Sequence, residues 1–577
     1  MTALVARPAR DRFAGKREQS VALVHFRLMV VMLMFAGITA VILFRLAFVW
    51  AFSDPGANEG RLAGLAEPRA NLVDRNGVVL AGTIDAWKIG VHPQKVIGDR
   101  GLIAVRLAQL MPERSEQQYR DILFSKRKFF YLKHEAMPEL VNAVNDIGEP
   151  GIVFERESRR YYPQGSLAAH VVGWIDRDGN AASGMELALD KQLREQAAQN
   201  KPVALSIDSR VQGAMENALA IQVTKHSAVG AAGIVLDVHT GEVLAMASLP
   251  QFNPNAPGLA PAAVDPLHPD ARFNRAISSV YELGSTFKMI TVANAIQQGV
   301  VKDIAHRYDA TAPLHVGKYT IHDDHPQRRW LTAPEILMHS SNIGTARIAD
   351  ELGQQRVAAF FRQLGLDRPA DLELGARGKP LWPGYWARTT VMTTAYGHGI
   401  AVSQLHLANA YAALINGGIL RPATLLKRDP DHVPQGTRVI SPQTSARMRQ
   451  FMRLVVTMGT GRSANVPGFR IGGKTGTSEK NVNGRYIHNS LVTTFAAAFP
   501  MDAPRYVVIV TMDEPKGIPE TFGLRTAAWT ALPAVKNVIA RVGPLLGVIP
   551  DNQRDVDVSD LMPYIRTPDE KGGHAAD

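Results

Sequence analysis

Hydrophobic positions divide the chain into stretches of different character. From Leu28 to Phe44 almost every residue is apolar, and the apolar run continues past Arg45 to Phe52. As a helix rising 1.5 Å per residue it spans roughly 37 Å, enough to cross a bilayer with some tilt. Arg7, Arg10, Arg12, Lys16, Arg17 and Arg27 precede it, against only Asp11 and Glu18. The pattern predicts a cytoplasmic basic arm over 1–26 and a single transmembrane helix over 27–52, with the rest of the chain outside. Ser53-Asp54-Pro55 offers no small-x-small cleavage site, so the helix reads as an uncleaved anchor. Arg45 within it has two readings: snorkelling to the outer interface, or contact with a partner helix.

Residues 53–201 alternate in short runs. Asn71–Leu80 reads as strand, Asn-Gly turn, strand, and Ala168–Trp174 as a further strand. The scattered Asp, Glu and His residues of this region read as surface. It is expected to be a mixed, β-rich, non-catalytic pedestal domain.

From Pro202 the periods lengthen. A strand at Val203–Ile207 precedes a helix over Ser209–Lys225. Strands Gly233–Val238 and Glu242–Ala247 flank a His239-Thr240-Gly241 turn, and helices follow at 285–298, 333–340, 343–353 and 404–416. Strands return around Lys474, at 491–499 and at 506–512, before a last helix over 526–542. Strands at both ends with helices between predict an α+β domain over 202–549, built on one central antiparallel sheet flanked by helices. Residues 550–577 are charged and read as a disordered tail.

The chain has no cysteine, which excludes a disulfide, a thiol nucleophile and a thiolate metal site. Its formal charge of +11 comes partly from the basic arm and accompanies no base-reading motif, so no nucleic-acid partner is expected.

Three short strings carry chemistry. Ser285-Thr286-Phe287-Lys288 opens a helical run after Gly284, placing a hydroxyl and an amine one turn apart on one face. Ser340-Ser341-Asn342 adds hydroxyls and an amide. Lys474-Thr475-Gly476-Thr477 adds an ammonium, two hydroxyls and a glycine that lets a backbone approach a ligand. Chance copies exist: Ser125–Lys128 matches the first string within a basic run, and Ser463-Ala464-Asn465 the second within a turn near Lys474. Gly468–Thr475 also fits the phosphate-loop pattern G-x-x-x-x-G-K-T, and Val507–Met512 ends in Asp513-Glu514, which could hold magnesium. A phosphate loop must open a helix, however. Here a hairpin signal, Asn483-Gly484, and strand-like runs follow.

The three strings in this order resemble those of class B penicillin-binding proteins, and most closely the division-specific, septal peptidoglycan transpeptidases. Ser340–Gly344, Gly397-His398-Gly399-Ile400, Gly459-Thr460-Gly461-Arg462 and Lys474–Thr477 carry the resemblance, with Arg160–Pro163 and Gly184-Met185-Glu186 in the outer region. Leu283, where many relatives have proline, and Ser478-Glu479 depart from it.

The residue chemistry reads as follows. Ser285 at a helix start is the nucleophile. Lys288, buried near the second cation Lys474, becomes a base. Ser340 relays a proton, and Asn342 meets an amide of the substrate. Lys474, Thr475 and Thr477 suit a terminal carboxylate, with Gly476 and Ser341 also lining the substrate site. The N–H groups of Ser285 and Thr477 form the oxyanion hole. The resemblance then implies a D,D-transpeptidase acting on stem pentapeptides of peptidoglycan, inhibited covalently by β-lactams, without metal or cofactor. It implies septal work in the inner membrane beside a membrane glycan polymerase and other division proteins. A D,D-carboxypeptidase or a β-lactam sensor would use the same residues, and a catalytically idle scaffold or an ATPase would not.

Overall fold

The computed structural model describes residues 28–44 and 68–566, except 177, 266–267 and 483–484. Residues 28–44 are helical and exposed. No helix among the described residues is long and apolar enough to cross a membrane. Arg45, the basic arm, the remainder of the 27–52 run and the Asn483-Gly484 signal lie outside the described residues.

The outer region is built on the long strand Val79–Val91. It pairs antiparallel with Leu72–Val73, Phe130–Ala136 and Ile152–Tyr161. Helices Arg100–Leu110, Glu116–Leu123 and Pro138–Asn145 cover this sheet around a core of Ile89, Val91, Leu107, Leu123 and Leu132. Leu72–Val73 also pairs, in parallel, with Val203–Ala204 at the entry to the next domain. Asp74 strengthens that joint. Its carboxylate accepts from Asn76 N (2.7 Å), Val78 N (2.9 Å), Ser209 N (3.0 Å) and Ser209 Oγ (2.6 Å).

Two expectations for this region are corrected. Ala169–Val172 is a helical turn, not part of a strand, and it ends where Gly173 packs backbone to backbone against Ser183 and Gly184. A side chain at either glycine would collide there. Nor are the acids all superficial: Asp74 and Glu186 are fully buried and His170 nearly so. Glu186 receives Arg160 Nε at 2.6 Å and Arg69 Nε at 3.1 Å. The Arg-Tyr-Tyr-Pro and Gly-Met-Glu strings, distant in sequence, are thus two halves of one buried ion cluster.

The catalytic-type domain is organised by a five-stranded sheet. Its spatial order is Gly472–Val482, Arg485–Phe499, Tyr506–Asp513, Gly230–Asp237, Val243–Leu249, with every neighbouring pair antiparallel. The apolar run 506–512 is continuous because Tyr506–Asp513 is the central strand, buried on both faces. Val507 and Ile509 point to a core shared with helices Phe287–Gln297, Gln404–Ile415 and Pro442–Thr457. Val508, Val510 and Met512 point to a second core, under helices Ser209–Lys225 and Ala531–Leu545. The last helix begins at Ala531 rather than 526, because the preceding turn bends to the strand Gly472–Val482, where Ala527 N donates to Thr477 Oγ1 (3.1 Å).

The disordered-tail expectation is also corrected for residues up to 566. Leu561 and Ile565 are buried in the larger core, and Asp555 forms a forked pair with Arg453 (2.7 and 2.6 Å). The acidic residues that resemble a solvated tail in sequence are partners of arginines on the helix Pro442–Thr457.

Removing one member of a buried ion cluster strands the others. Glu186→Ala should therefore destabilise the outer region by about 3–5 kcal/mol in urea unfolding. A loss below about 1 kcal/mol, the scale of exposed pairs, would show that water reaches the cluster.

Candidate active site

Ser285 sits in the tight turn Gly284–Thr286, which runs into the helix Phe287–Gln297. The turn is anchored from below. Tyr411 Oη donates to Thr286 O (2.9 Å), and Thr286 Oγ1 donates to Leu283 O (2.9 Å). It is also gripped between two backbones. A Cβ on Gly476 would collide with Leu283 O, one on Gly397 with Gly284 O, and one on Gly284 would lie 2.8 Å from Thr477 O. Gly284 has φ +55°, which favours glycine. The close approach that Gly476 allows in this structure is that of the turn 283–286.

The cleft strand Gly472–Val482 obeys period two. Lys474, Gly476, Ser478 and Lys480 are buried, while Thr475, Thr477 and Glu479 are half-buried and line the open side. Ser285 is half-buried too. The strand backbone at Gly476–Thr477 lies in van der Waals contact with the turn 283–286. The two N–H groups expected to form an oxyanion hole thus belong to touching segments.

Ser340 brings the lysines together. Lys288 Nζ, on the nucleophile helix and fully buried, donates to Ser340 O and to Ser340 Oγ (3.1 Å). Lys474 Nζ, equally buried, donates to the same Oγ at 2.9 Å and to Thr475 O at 3.1 Å. Ser340 holds this position with φ +58°, unusual outside glycine, as the residue after His339, the C-cap of the short helix Ala333–Met338. Burial pulls the Lys288 pKa from its ordinary 10.5 to about 7, opposed by the carboxylates of Asp323 and Asp324. Lys474 is lowered by burial and by the charge of Lys288. Burial is the larger cause for both lysines.

The next two candidates differ in exposure, and Ser341 lies beneath the open cleft. It is buried as the N-cap of helix Asn342–Gln363, accepting from Gly344 N (3.0 Å) and donating to Asp323 Oδ2 (2.7 Å). Asn342 is half-buried at the cleft, and its Nδ2 donates to His322 O (2.8 Å).

Three residues escaped the sequence reading of the site. Asp323 orders the Ser340–Asn342 turn and biases Lys288. Thr460 Oγ1 lies 3.2 Å from Thr475 Oγ1. Half-buried His398 is close enough to Lys288 for its charge to depress the imidazole further, after burial. The last two stand in strings already quoted for their family likeness, and their proximity to the lysines was the missing part. Asp323 has no local signal, because only the packing of the loop after Tyr319–Ile321 brings it near.

The phosphate-loop alternative is overturned. Lys474 is in the strand Gly472–Val482, with its ammonium on Ser340, and does not open a helix. Asp513 is buried between Arg275 Nη1 (2.9 Å) and Lys480 Nζ (2.6 Å), a partnered charge rather than a cation ligand.

A hydroxyl at a helix start, a base lysine of lowered pKa and a second lysine joined through a serine define a serine acyl-transfer enzyme. The comparisons agree. The family model described as penicillin binding protein transpeptidase domain matches residues 231–536, and the one described as penicillin-binding protein dimerisation domain matches 65–203. The probable peptidoglycan D,D-transpeptidase FtsI of Caulobacter vibrioides is 42% identical over 507 residues, 86% of this chain and 84% of that protein. The peptidoglycan D,D-transpeptidase FtsI of Escherichia coli K12 is 31% identical over 497 residues, 79% of this chain and 81% of that protein. Among solved structures, penicillin binding protein 3 of Mycobacterium tuberculosis complexed with aztreonam superposes with a TM-score of 0.63 at 26% identity, covering 84% of this chain and 98% of that one. The chain belongs to the penicillin-binding proteins, as a class B member of the FtsI type.

Lys288 accepts a proton only when neutral. With a pKa of about 7, acylation by penicillin should rise with pH and reach half its plateau near pH 7. The check is the acylation rate measured from about pH 5 to about pH 9. A limb near the ordinary lysine value would remove Lys288 as the base.

Proposed function

We propose that this protein is a septal peptidoglycan D,D-transpeptidase that cross-links stem peptides through an acyl-enzyme on Ser285. The observation that carries the reading is the Ser340 hydroxyl held between two buried lysine ammoniums, beside the nucleophile turn. The activity for which the FtsI relatives are named and the β-lactam complex of the structural neighbour support it.

The chemistry follows from the arrangement. Neutral Lys288 takes the Ser285 proton as Oγ attacks the carbonyl of the penultimate D-alanine. The N–H groups of Ser285 and Thr477 receive the developing oxyanion. Thr475 and Thr477, beside Lys474, receive the terminal carboxylate. Asn342 meets an amide of the donor peptide. As the C–N bond breaks, the proton passes through Ser340 to the departing D-alanine amine. An amine of a second stem peptide then attacks the ester carbonyl, loses a proton by the reverse route and frees Ser285. A β-lactam enters at the first step: its ring amide opens, and the acyl group stays on the serine.

The apolar run 27–52, behind its basic arm, supports a single-pass anchor in the bacterial inner membrane with the catalytic domain in the periplasm. The outer region then lifts Ser285 toward the wall. A membrane-embedded glycan polymerase is the expected partner, since it makes the uncross-linked strands that the transpeptidase consumes. Holding the two together raises the effective concentration of both peptides. A carboxypeptidase would resolve the same acyl-enzyme with water, so the product decides: a cross-linked dimer rather than a shortened monomer.

Ser285→Ala should abolish labelling by fluorescent penicillin, and mass spectrometry of the native protein should find the adduct on Ser285. An adduct on another serine would sink the assignment. Replacing Leu28–Phe52 with an unrelated single-pass helix should weaken recovery of the polymerase and septal localisation. Full retention of both would reduce the run to a tether, and Arg45 to a snorkelling residue.

A further inference from the structure

The short helix Ala333–Met338 is a lever with Ser340 at its tip. Ser340 N and Ser341 N donate to Leu337 O (3.3 Å) and Ile336 O (2.9 Å), so the helix end fixes the turn that meets both lysines. Its other end is fixed by the last described residues of the chain. Glu335, fully buried, accepts from Thr332 N (3.0 Å), Arg329 Nη1 (2.8 Å) and Arg566 N (2.9 Å). Thr332 Oγ1 donates to Tyr564 O at 3.0 Å. Burial alone would raise the Glu335 pKa, but the N–H donors of Arg566 and Thr332 and the charge of Arg329 outweigh it and hold it below the ordinary value.

A second arm converges on the same place. The helix Pro442–Thr457 leads to Gly459-Thr460, where Thr460 N donates to Met338 O (3.2 Å) and the Thr460 hydroxyl meets Thr475. The C-terminal segment grips this helix too. Asp555 forks onto Arg453, whose Nη1 donates to Ile471 O (2.8 Å), one residue before the cleft strand. Asp560 pairs with Arg447, and Gln450 Nε2 donates to Asp557 O (2.7 Å).

We propose that residues 555–566 form a positioning strap, which braces the Ala333–Met338 helix and the Pro442–Thr457 helix so that Ser340 stays between Lys288 and Lys474. The strap touches neither substrate nor reacting atoms and acts through Glu335, Thr332 and Arg453. Its two attachments reach the Ser340 turn by separate routes, through Glu335 and through Thr460 on Met338, so a loosened strap lets Ser340 leave both ammoniums at once. Water then enters beside Lys288, which is otherwise faced by Lys474, Asp323, Asp324 and His398. The inference rests on the reading of Ser285 and Lys288 as nucleophile and base.

The test uses the full chain. Asp555→Asn and Asp560→Asn together weaken the grip on one arm. Arg566→Pro removes the one backbone N–H that residues 555–566 give to Glu335, and Ile565, at φ −112° and ψ 125°, already has the backbone a following proline requires. Arg566→Ala keeps that N–H and serves as the conservative partner. Folded protein is counted by its final stoichiometry of penicillin adduct on Ser285, and the rate is measured per labelled site. The strapped arrangement predicts acylation slower by about tenfold or more in the combined variant, the scale of a displaced catalytic group. It also predicts an acid limb moved upward from pH 7, because Lys288 regains solvent. A combined variant that labels Ser285 at the native rate with an unmoved limb would overturn the strap. If the combined variant does not fold, Arg566→Pro and Arg566→Ala are compared by the same two measurements. Equal rates and limbs would overturn the strap. A slower Pro variant with a raised limb would support it. Loss of the Ser285 adduct from the native chain would instead overturn the functional reading.

Discussion

Two buried ammoniums on one serine are the constraint around which this structure is arranged. Lys288 and Lys474 approach the hydroxyl of Ser340 from different elements, both without solvent. Keeping both charged there is unfavourable, since each loses hydration and repels the other. The protein accepts that cost because it yields a lysine with a pKa of about 7 from one that is ordinarily protonated until far higher pH. Nearby Asp323 and Asp324 limit the shift, so Lys288 titrates near neutrality rather than losing its proton altogether. The base is tuned by opposed terms, and burial is the larger.

Burial of that kind demands backbone contact rather than side-chain filling. The nucleophile turn, the cleft strand and the loop at Gly397 pack so closely that Gly284, Gly397 and Gly476 have no space for a Cβ in their observed positions. Because the cleft strand alternates, the same segment turns Lys474 inward and Thr475 and Thr477 to the open side. A one-residue slip in its pairing with Arg485–Phe499 would exchange the two sets and take the Lys474 ammonium away from Ser340. The central strand, fixed by apolar residues on both faces, supplies the register on which that alternation depends.

Much of this was legible in the residues. Ser285, Lys288, Ser340 and Lys474 stand in strings whose chemistry is specific, and the strand runs that form the sheet are set by apolar character over a few residues. The capping role of Ser341 could not be read locally, because a hydroxyl in a motif and a hydroxyl capping a helix look alike until the helix start is known. The packing of Gly476 against Leu283 could not be read locally, because the two are remote in sequence. Glu186 and Asp74 were taken for surface acids, since nothing local shows that two arginines and a set of backbone donors converge on them. The tail was misjudged for a related reason. Asp555 and Asp560 lower the hydropathy of their segment, yet each meets an arginine presented by a helix about a hundred residues earlier. Charge composition reports solvation only when the opposite charges are absent from the fold.

The chain's order explains why the segments behind the cleft matter to it. Strand Gly230–Asp237 pairs with Tyr506–Asp513, so the sheet joins the beginning of the domain to its end, with the cleft strand Gly472–Val482 at one edge, while the Ser285 helix and the Ser340 turn lie outside its ladder. A sheet positions its own strands to fractions of an ångström through shared hydrogen bonds. Ser340 is on no strand. It follows a short helix and adopts a left-handed φ, a conformation that costs about 1–2 kcal/mol for a residue with a side chain. Such a conformation persists only where its surroundings over-determine it. The helix behind it is too short to supply that by itself. The surroundings that do so are Gly459-Thr460 on one side and Glu335, with the backbone of Arg566, on the other. The precision of the lysine pair is therefore borrowed from contacts across the whole domain, including its last turn.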